Sequence, residues 1–297
     1  MKRKRILLHY GVYEGDRPYA AQTLDQVLDF LAPHELTVHI QDDASPSYVG
    51  RRLAEQFSHR VNLRLTRIDQ SLGYHGTAER TLSLLHALAV DGQSYDYVLR
   101  VDPDIYLTSG KLARLFDEDL LPDRGLVGTT NQMRLRDLVL WLADLVPVGW
   151  RRRQLADGRM EHDWVIRTVP VWWRDIGLSA LKRRFRGRMA TGVLYVLAWS
   201  TLSALHERGW LSRSRQPMGL LFHDDLFLST MVWALGHPLL DINEFIPEWK
   251  ADLFIQRGTP VDTLRSRQLD LLHPLKDNAW AQSVRRDMKM PATCVKP

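Results

Sequence analysis

Tyr95-Asp96-Tyr97-Val98-Leu99-Arg100-Val101-Asp102-Pro103-Asp104-Ile105 is the stretch on which the fold turns. Residues 95 to 101 form a near-continuous apolar run of strand length, interrupted mainly by Asp96 and Arg100. The run stops on two carboxylates flanking a proline, which is favourable turn chemistry. A buried strand that empties into an acidic loop belongs at the carboxyl edge of a parallel sheet, where α/β proteins collect their ligands.

Toward the N-terminus the same alternation repeats. Residues 5 to 12 (RILLHYGV) read as a strand, and Leu24, Val27, Leu28 and Leu31 make 19 to 31 an amphipathic helix. Leu36-Thr37-Val38-His39-Ile40-Gln41 is rich in β-formers and ends on Asp42-Asp43-Ala44-Ser45-Pro46, a loop signal. A helix near 47 to 58 and an alternating strand at Val61-Asn62-Leu63-Arg64-Leu65 follow. A helix near 76 to 90 then aligns Ala78, Leu82, Leu85 and Ala89 on one face. Strands alternating with helices predict an α/β fold with a mostly parallel, Rossmann-like sheet and helices on both faces.

The second half is less regular. Between about 131 and 188 the periodicity weakens, and Trp141, Trp150, Trp164, Trp172 and Trp173 crowd among arginines. This predicts a Trp/Arg-rich insertion or lid over 131–190, between a first half at 1–130 and a second at 191–297. A strand resumes at 191 to 198 (TGVLYVLA). Asp224-Asp225 opens a helix with Leu228, Met231, Val232 and Leu235 on its buried face, and the end from His273 is short and polar.

With 297 residues, 45% of them hydrophobic, the chain can bury the core of one large α/β domain. It has no run of about 18 or more apolar residues. Lys2-Arg3-Lys4-Arg5 leads into only Ile6-Leu7-Leu8, which reads as a basic tail feeding a strand. The single cysteine, Cys294, excludes an intrachain disulfide and a thiolate-rich zinc site, and it fits a cytoplasmic setting. The net charge of +5 is uneven: residues 151 to 188 hold eleven Arg or Lys against four acids, +7 locally, leaving −2 elsewhere. That concentration suggests a local anionic partner. Three readings fit the Trp/Arg-rich segment: an acceptor-binding lid, peripheral contact of residues 141–188 with an anionic inner membrane face, or core aromatics beneath a solvated basic surface. Interleaved arginine and tryptophan would also suit nucleic acid, but no nucleic-acid motif accompanies them.

Asp102 and Asp104, two residues apart on a loop leaving a strand, can both reach one hard cation, Mn²⁺ or Mg²⁺, with sites left open for phosphate oxygens. Such a cation offsets charge growing on a diphosphate leaving group. At the other acidic strand end, Asp42 and Asp43 can accept hydrogen bonds from a base or ribose, while Asp43 or Ser45 can also cap the next helix, and the two roles can coexist.

The order of strand, helix, strand ending Asp42-Asp43-Ala44-Ser45, then Ser71-Leu72-Gly73-Tyr74 leading to Arg80, then strand ending Asp102-Pro103-Asp104 resembles the nucleotide-binding half of family-2-like glycosyltransferases of the GT-A fold. The resemblance covers roughly residues 5 to 110. It implies donor binding by His9, Gly11, Asp42, Asp43, Arg80 and Asp102, and a metal on Asp102 and Asp104. More loosely, His223-Asp224-Asp225 resembles that family's Glu-Asp motif, with Asp224 standing where Glu is usual. By this likeness Asp225, or Asp224, is the catalytic base, and a helix N-terminus favours the ionised carboxylate there. His273 resembles the C-terminal histidine that completes the metal site, and Lys276 could face the diphosphate as a point charge. The resemblance therefore implies metal-dependent, inverting transfer of a sugar from a nucleoside diphosphate, a UDP-sugar above others, to a glycan, lipid-linked or small-molecule hydroxyl. Two other classes compete. A haloacid-dehalogenase-like phosphatase also places Asp-x-Asp after a strand, but wants a small residue and Thr after it, where Ile105-Tyr106 stand. A non-catalytic basic module for membrane or nucleic acid would draw on the Trp/Arg segment alone.

Overall fold

The structure is a computed structural model that describes residues 2–71, 77–143, 148–154, 160–166, 171–212, 224–276 and 279–288. The first half follows the alternation in the sequence: β1 (Arg5–Val12), α1 (Ala20–Phe30), β2 (Glu35–Asp42), α2 (Val49–Phe57), β3 (Asn62–Arg67), α3 (Thr77–Val90) and β4 (Tyr97–Val101). β1 lies between β2 and β4, parallel to both, and β3 extends the sheet in the same sense. Along β1 the side chains alternate as a pleated strand requires. Ile6, Leu8, Tyr10 and Val12 enter one core with Leu24, Val27 and Leu28 of α1 and Leu53 and Phe57 of α2. Leu7 enters the other with Leu82, Leu85 and Leu88 of α3. Apolar burial on both faces makes this a two-sided α/β sheet.

A two-residue strand, β5 (Tyr106–Leu107), leads to α4 (Lys111–Asp117) and then to β6 (Leu126–Gln132). The segment that follows is structured. It holds α5 (Leu135–Ala143), an antiparallel hairpin of β7 (Val148–Gln154) and β8 (Met160–Ile166), and α6 (Val171–Lys182), before β9 (Arg188–Ala198) returns to the sheet. β9 runs antiparallel between β4 and β6. Next come α7 (Trp199–Glu207), α8 (Asp224–Leu235), β10 (Leu239–Asp241), β11 (Ala251–Asp252), α9 (Val261–Ser266), β12 (Leu271–Leu272) and α10 (Ala279–Asp287). The main sheet has seven strands in the order β10-β6-β9-β4-β1-β2-β3, and among its pairings only those of β9 are antiparallel. A small sheet, β11-β12-β5, sits beside it.

For three tryptophans of the 131–190 segment, the core reading is the one the structure supports. Trp141, Trp172 and Trp173 are buried in the cluster that holds α3, α7 and α8 against the sheet. Trp173 stacks on Phe227 of α8 with ring centroids 4.1 Å apart and planes 10° apart, and Trp141 meets Phe185 edge-on at 5.2 Å. Trp150 and Trp164 are register partners across the hairpin, and their side chains lie outside the described residues. Replacing Trp173 with Ala removes a large buried ring beside the start of α8. The expected cost is about 3–5 kcal/mol of unfolding free energy in a denaturant titration, where an exposed lid tryptophan would cost almost nothing.

Candidate metal and donor site

Both acidic loops emerge at the carboxyl edge of the parallel strands. Asp102 follows β4 and donates its amide to the Val193 carbonyl of β9 at 2.9 Å, so the sheet ladder continues into the metal loop. Asp104 is brought to His273 by the small sheet. β12 pairs antiparallel with β5 (Leu272 opposite Tyr106, Leu271 opposite Leu107), and the Leu275 amide donates to the Asp104 carbonyl at 2.7 Å. The chain leaving β12 therefore sets the imidazole over the carboxylate, with His273 Nε2 3.4 Å from Asp104 Oδ1.

Asp102, Asp104 and His273 each offer a ligand atom, and these atoms lie within 4.8 Å of one another. Among the described residues this is the one cluster of such groups. The donor set fits a divalent cation. Two carboxylates suit Mn²⁺ or Mg²⁺, and His273 Nδ1 is 2.9 Å from the Leu253 carbonyl, which takes the N–H and turns the Nε2 lone pair toward the carboxylates. Burial pushes Asp102 above the usual carboxylate range, against the pull of Arg100, whose guanidinium lies 3.3 Å from its Oδ1. Burial acts the same way on Asp104, but His273 in its protonated form, with Nε2–H in place of the lone pair a cation would take, outweighs it by hydrogen bond and charge and holds that carboxyl low.

Sequence reasoning missed what fixes this loop. Arg285, buried on α10, donates to the Ile105 carbonyl at 3.1 Å and the Leu275 carbonyl at 3.2 Å, on either side of the Asp104–His273 contact. It also reaches the Thr23 hydroxyl at 3.2 Å, and that hydroxyl donates to the Pro103 carbonyl at 2.7 Å. The cation lies over the rings of Tyr19 and Tyr106, 5.2 and 5.7 Å from their centroids. A C-terminal stretch that reads as polar and irregular thus supplies a buried guanidinium tying three segments together; no local motif marks it.

At the other acidic strand end the two carboxylates divide their work. Asp42 is committed to its own loop. It accepts from the Ser45 amide at 2.7 Å, the Ser45 hydroxyl at 2.8 Å and the Gly50 amide at 2.8 Å, while Ser45 Oγ accepts from the Val49 amide at 2.8 Å. Ser45 and Asp42, where Asp43 or Ser45 is expected to cap, satisfy two open amides at the start of α2, so the Asp42 carboxylate organises the β2–α2 loop and its oxygens already have partners. Asp43 forms an ion pair with Arg80 and accepts from Ser71 at 3.0 Å, which joins the β2 loop to α3. Ala44 and Tyr48 hold left-handed backbone conformations, φ 51° and 54°, and Arg67 stacks on the Tyr48 ring at 4.3 Å. The loop from β2 to α2 is therefore strained and braced.

His9 is buried on β1, and burial, reinforced by Arg100, holds its pKa well below the usual value, so it is a neutral side chain under the site. A Cβ built at Gly11 meets nothing nearer than His9 Nε2 at 3.9 Å, which leaves room above the strand end. Lys276 is exposed and lies within electrostatic reach of Asp104 and Tyr13. Asp225, in the first turn of α8, lies within reach of Asp102, Arg100 and Tyr195. The Asp224 side chain, His223 and Leu72-Gly73-Tyr74 lie outside the described residues. Asp16 is a further carboxylate that sequence reasoning missed. It is buried in the loop after β1, accepts from Tyr19 OH at 2.8 Å and the Tyr13 amide at 3.0 Å, and is repelled by Asp104 and Asp102.

No protein-family model matches the chain, and no curated protein matches it. Its fold is similar to that of solved glycosyltransferases. One is a mannosyltransferase from Pyrobaculum calidifontis in complex with GDP-Man and Mn²⁺, 16% identical over 96% of this chain and 61% of that one, TM-score 0.46. Another is the WbbM bifunctional glycosyltransferase, 10% identical over 98% and 50%, TM-score 0.47. S. aureus TarS 1-349 is 14% identical over 80% and 57%, TM-score 0.41. The chain spans between half and about three fifths of the length of these three structures. At these identities and TM-scores the functional reading rests on the side chains of the site itself.

Two expectations follow from the supporting residues. Burial pushes Asp16 up to about 7. A raised carboxyl pKa means that the native state keeps a proton the unfolded chain has lost, so Asp16 weakens the fold as pH climbs from about 4 to about 7. Without metal, the stability gained by Asp16→Asn over the native protein should grow across that window and level off above it, with a ceiling of about 4 kcal/mol. Chemical unfolding at a series of pH values reads this directly. Arg285→Met strands the Leu275 carbonyl and leaves Ile105 only the Thr23 hydroxyl, and should cost about 2–4 kcal/mol of stability and weaken Mn²⁺ binding in a calorimetric titration, with Arg285→Lys intermediate.

Proposed function

We propose that the chain is a metal-dependent glycosyltransferase that moves a sugar from a nucleoside-diphosphate donor, a UDP-sugar first among candidates, to an acceptor hydroxyl with inversion. The observation that carries the reading is the convergence of Asp102, Asp104 and His273 at the carboxyl edge of the sheet, with a hydrogen bond orienting the imidazole. A divalent cation bound there would supply Lewis-acid stabilisation to the departing diphosphate. Lys276 adds a point charge on the same side, and Asp43 with Arg80 holds the β2 loop that faces the base and ribose.

Asp225 is the base of this proposal. It sits at the first turn of a helix, on the Asp102 side of the site, and Trp173 stacking on Phe227 fixes that turn. The acceptor oxygen bonds to the anomeric carbon as the bond from that carbon to the diphosphate oxygen breaks. The hydroxyl proton passes to Asp225 and the bonding pair leaves with the diphosphate. Residues 1–130 hold the donor in this scheme, 191–297 bring the base and His273, and 131–190 cover the acceptor side. The chain works in the cytoplasm, at the inner membrane face.

Calorimetric titration of UDP and of GDP, with and without Mn²⁺, tests the reading. Nucleotide binding should require the metal and weaken at least about 100-fold in Asp102→Ala, whereas Asp225→Asn should bind nucleotide normally and transfer about 100-fold or more slowly. Absence of nucleotide binding under every condition, or binding indifferent to Asp102→Ala, would sink it.

A further inference from the structure

α5 and α6 each turn an apolar row outward. On α5, Leu135, Val139 and Leu142 stand at spacings of four and seven, with Leu135 77% and Val139 54% exposed. On α6, Val171, Leu178 and Leu181 line one side, with Val171 62% exposed. Scattered exposed leucines need no explanation, but rows repeated on two helices anchored in one core do. Both helices are anchored inward to the same core, through Trp141 against Phe185 and Trp172 and Trp173 against Phe227. The outward rows are therefore not frayed ends awaiting a place in the interior.

The charge around these rows says what they meet. Between 171 and 188 the chain has six Lys or Arg and one acid, Asp175. Arg134, Arg174, Lys182 and Arg184 are exposed beside the apolar rows. A nucleic acid would use the cations and leave the leucines in water. A second copy of the chain would bring its own like charge to the contact. Only an anionic lipid surface uses both, taking aliphatic side chains into the acyl boundary and cations at the headgroups. No described helix is long and apolar enough to cross a membrane, so the element lies on the bilayer.

We propose that the outward faces of α5 and α6, with the cations from Arg174 to Arg186, dock the protein on an anionic bilayer. The proposal deepens the transferase reading and rests on it for what docking serves, while docking itself needs neither donor nor cation. Co-sedimentation of the full chain with vesicles of pure phosphatidylcholine, and with an equal mixture of phosphatidylcholine and phosphatidylglycerol, tests it. The partition coefficient should favour the mixed vesicles by at least about tenfold and fall as salt is added. Leu135→Ser with Val139→Ser and Leu178→Ser should lower it about tenfold or more. Arg174→Ala and Lys182→Ala should each lower it about fivefold. All five positions are exposed, and circular-dichroism melting checks that the variants stay folded. Equal partition into neutral and anionic vesicles would overturn the proposal. So would a dimer that the serine variants dissolve while vesicles are ignored, or binding to an RNA duplex that those variants leave intact in a protein that ignores vesicles. The same variants should bind nucleotide as the native protein does, so loss of docking and loss of the transferase reading are separate results.

Discussion

The contact between Asp104 and His273 is the constraint on which the site depends. The two residues lie far apart in the chain, and the antiparallel pairing of β12 with β5, extended by the Leu275 amide on the Asp104 carbonyl, joins them. The pairing is two residues long, too short to be stable by itself. What secures it is the buried guanidinium of Arg285, which holds the carbonyls of Ile105 and Leu275 on opposite sides of the junction. Burying that cation is costly, and three oxygen acceptors and two aromatic faces offset the cost. Removing it would take a donor from the Leu275 and Ile105 carbonyls and leave Ile105 only its bond from Thr23, so the last helix of the described chain supports the candidate metal site although it touches none of its ligand atoms.

Electrostatics give the site its direction. Asp16, Asp102, Asp104 and Asp225 gather at one edge of the sheet, and each of the first three feels the others' charge or that of Asp225. Burial raises Asp16 and Asp102 because ionised carboxylates lack solvent there. Arg100 offsets only part of this at Asp102, whereas His273 outweighs it at Asp104. A diphosphate would meet a wall of like charge at such an edge unless a cation came with it. In the proposed reading, donor and metal therefore enter as a pair, and the ordinary affinity of either alone is expected to be low.

The first half was legible because local pattern and global fold agree there. β1 to β4 and the helices between them fall within a few residues of where apolar periodicity places them, and both acidic strand ends follow from that order. Asp42 is the instructive residue. An acidic pair at a strand end is the same signal whether its oxygens serve a ligand or the amides of the next helix, and Ser45 and Gly50 decide the matter only in three dimensions. Arg285 and Asp16 were illegible for a related reason. Their roles come from contacts distant in sequence, and single polar residues in loops or short helices carry no spacing to read.

α6 explains why the 131–190 segment defeated periodicity. Its inner face buries Trp172, Trp173, Ile176 and Ala180, and its outer face carries Val171, Leu178 and Leu181, so apolar residues occur all round and the period of an amphipathic helix is lost. A helix apolar all round is ordinarily buried all round, yet among the described residues this one has an exposed outer side. The inner side has a partner in Phe227, two residues beyond Asp225, and the outer side has cations instead of a second protein layer. Loss of the pattern is then the mark of a helix with two different surroundings. It joins the end of α8 that carries Asp225 to a basic, apolar exterior, and a surface bound there would lie one helix thickness from the residue assigned to take the acceptor's proton.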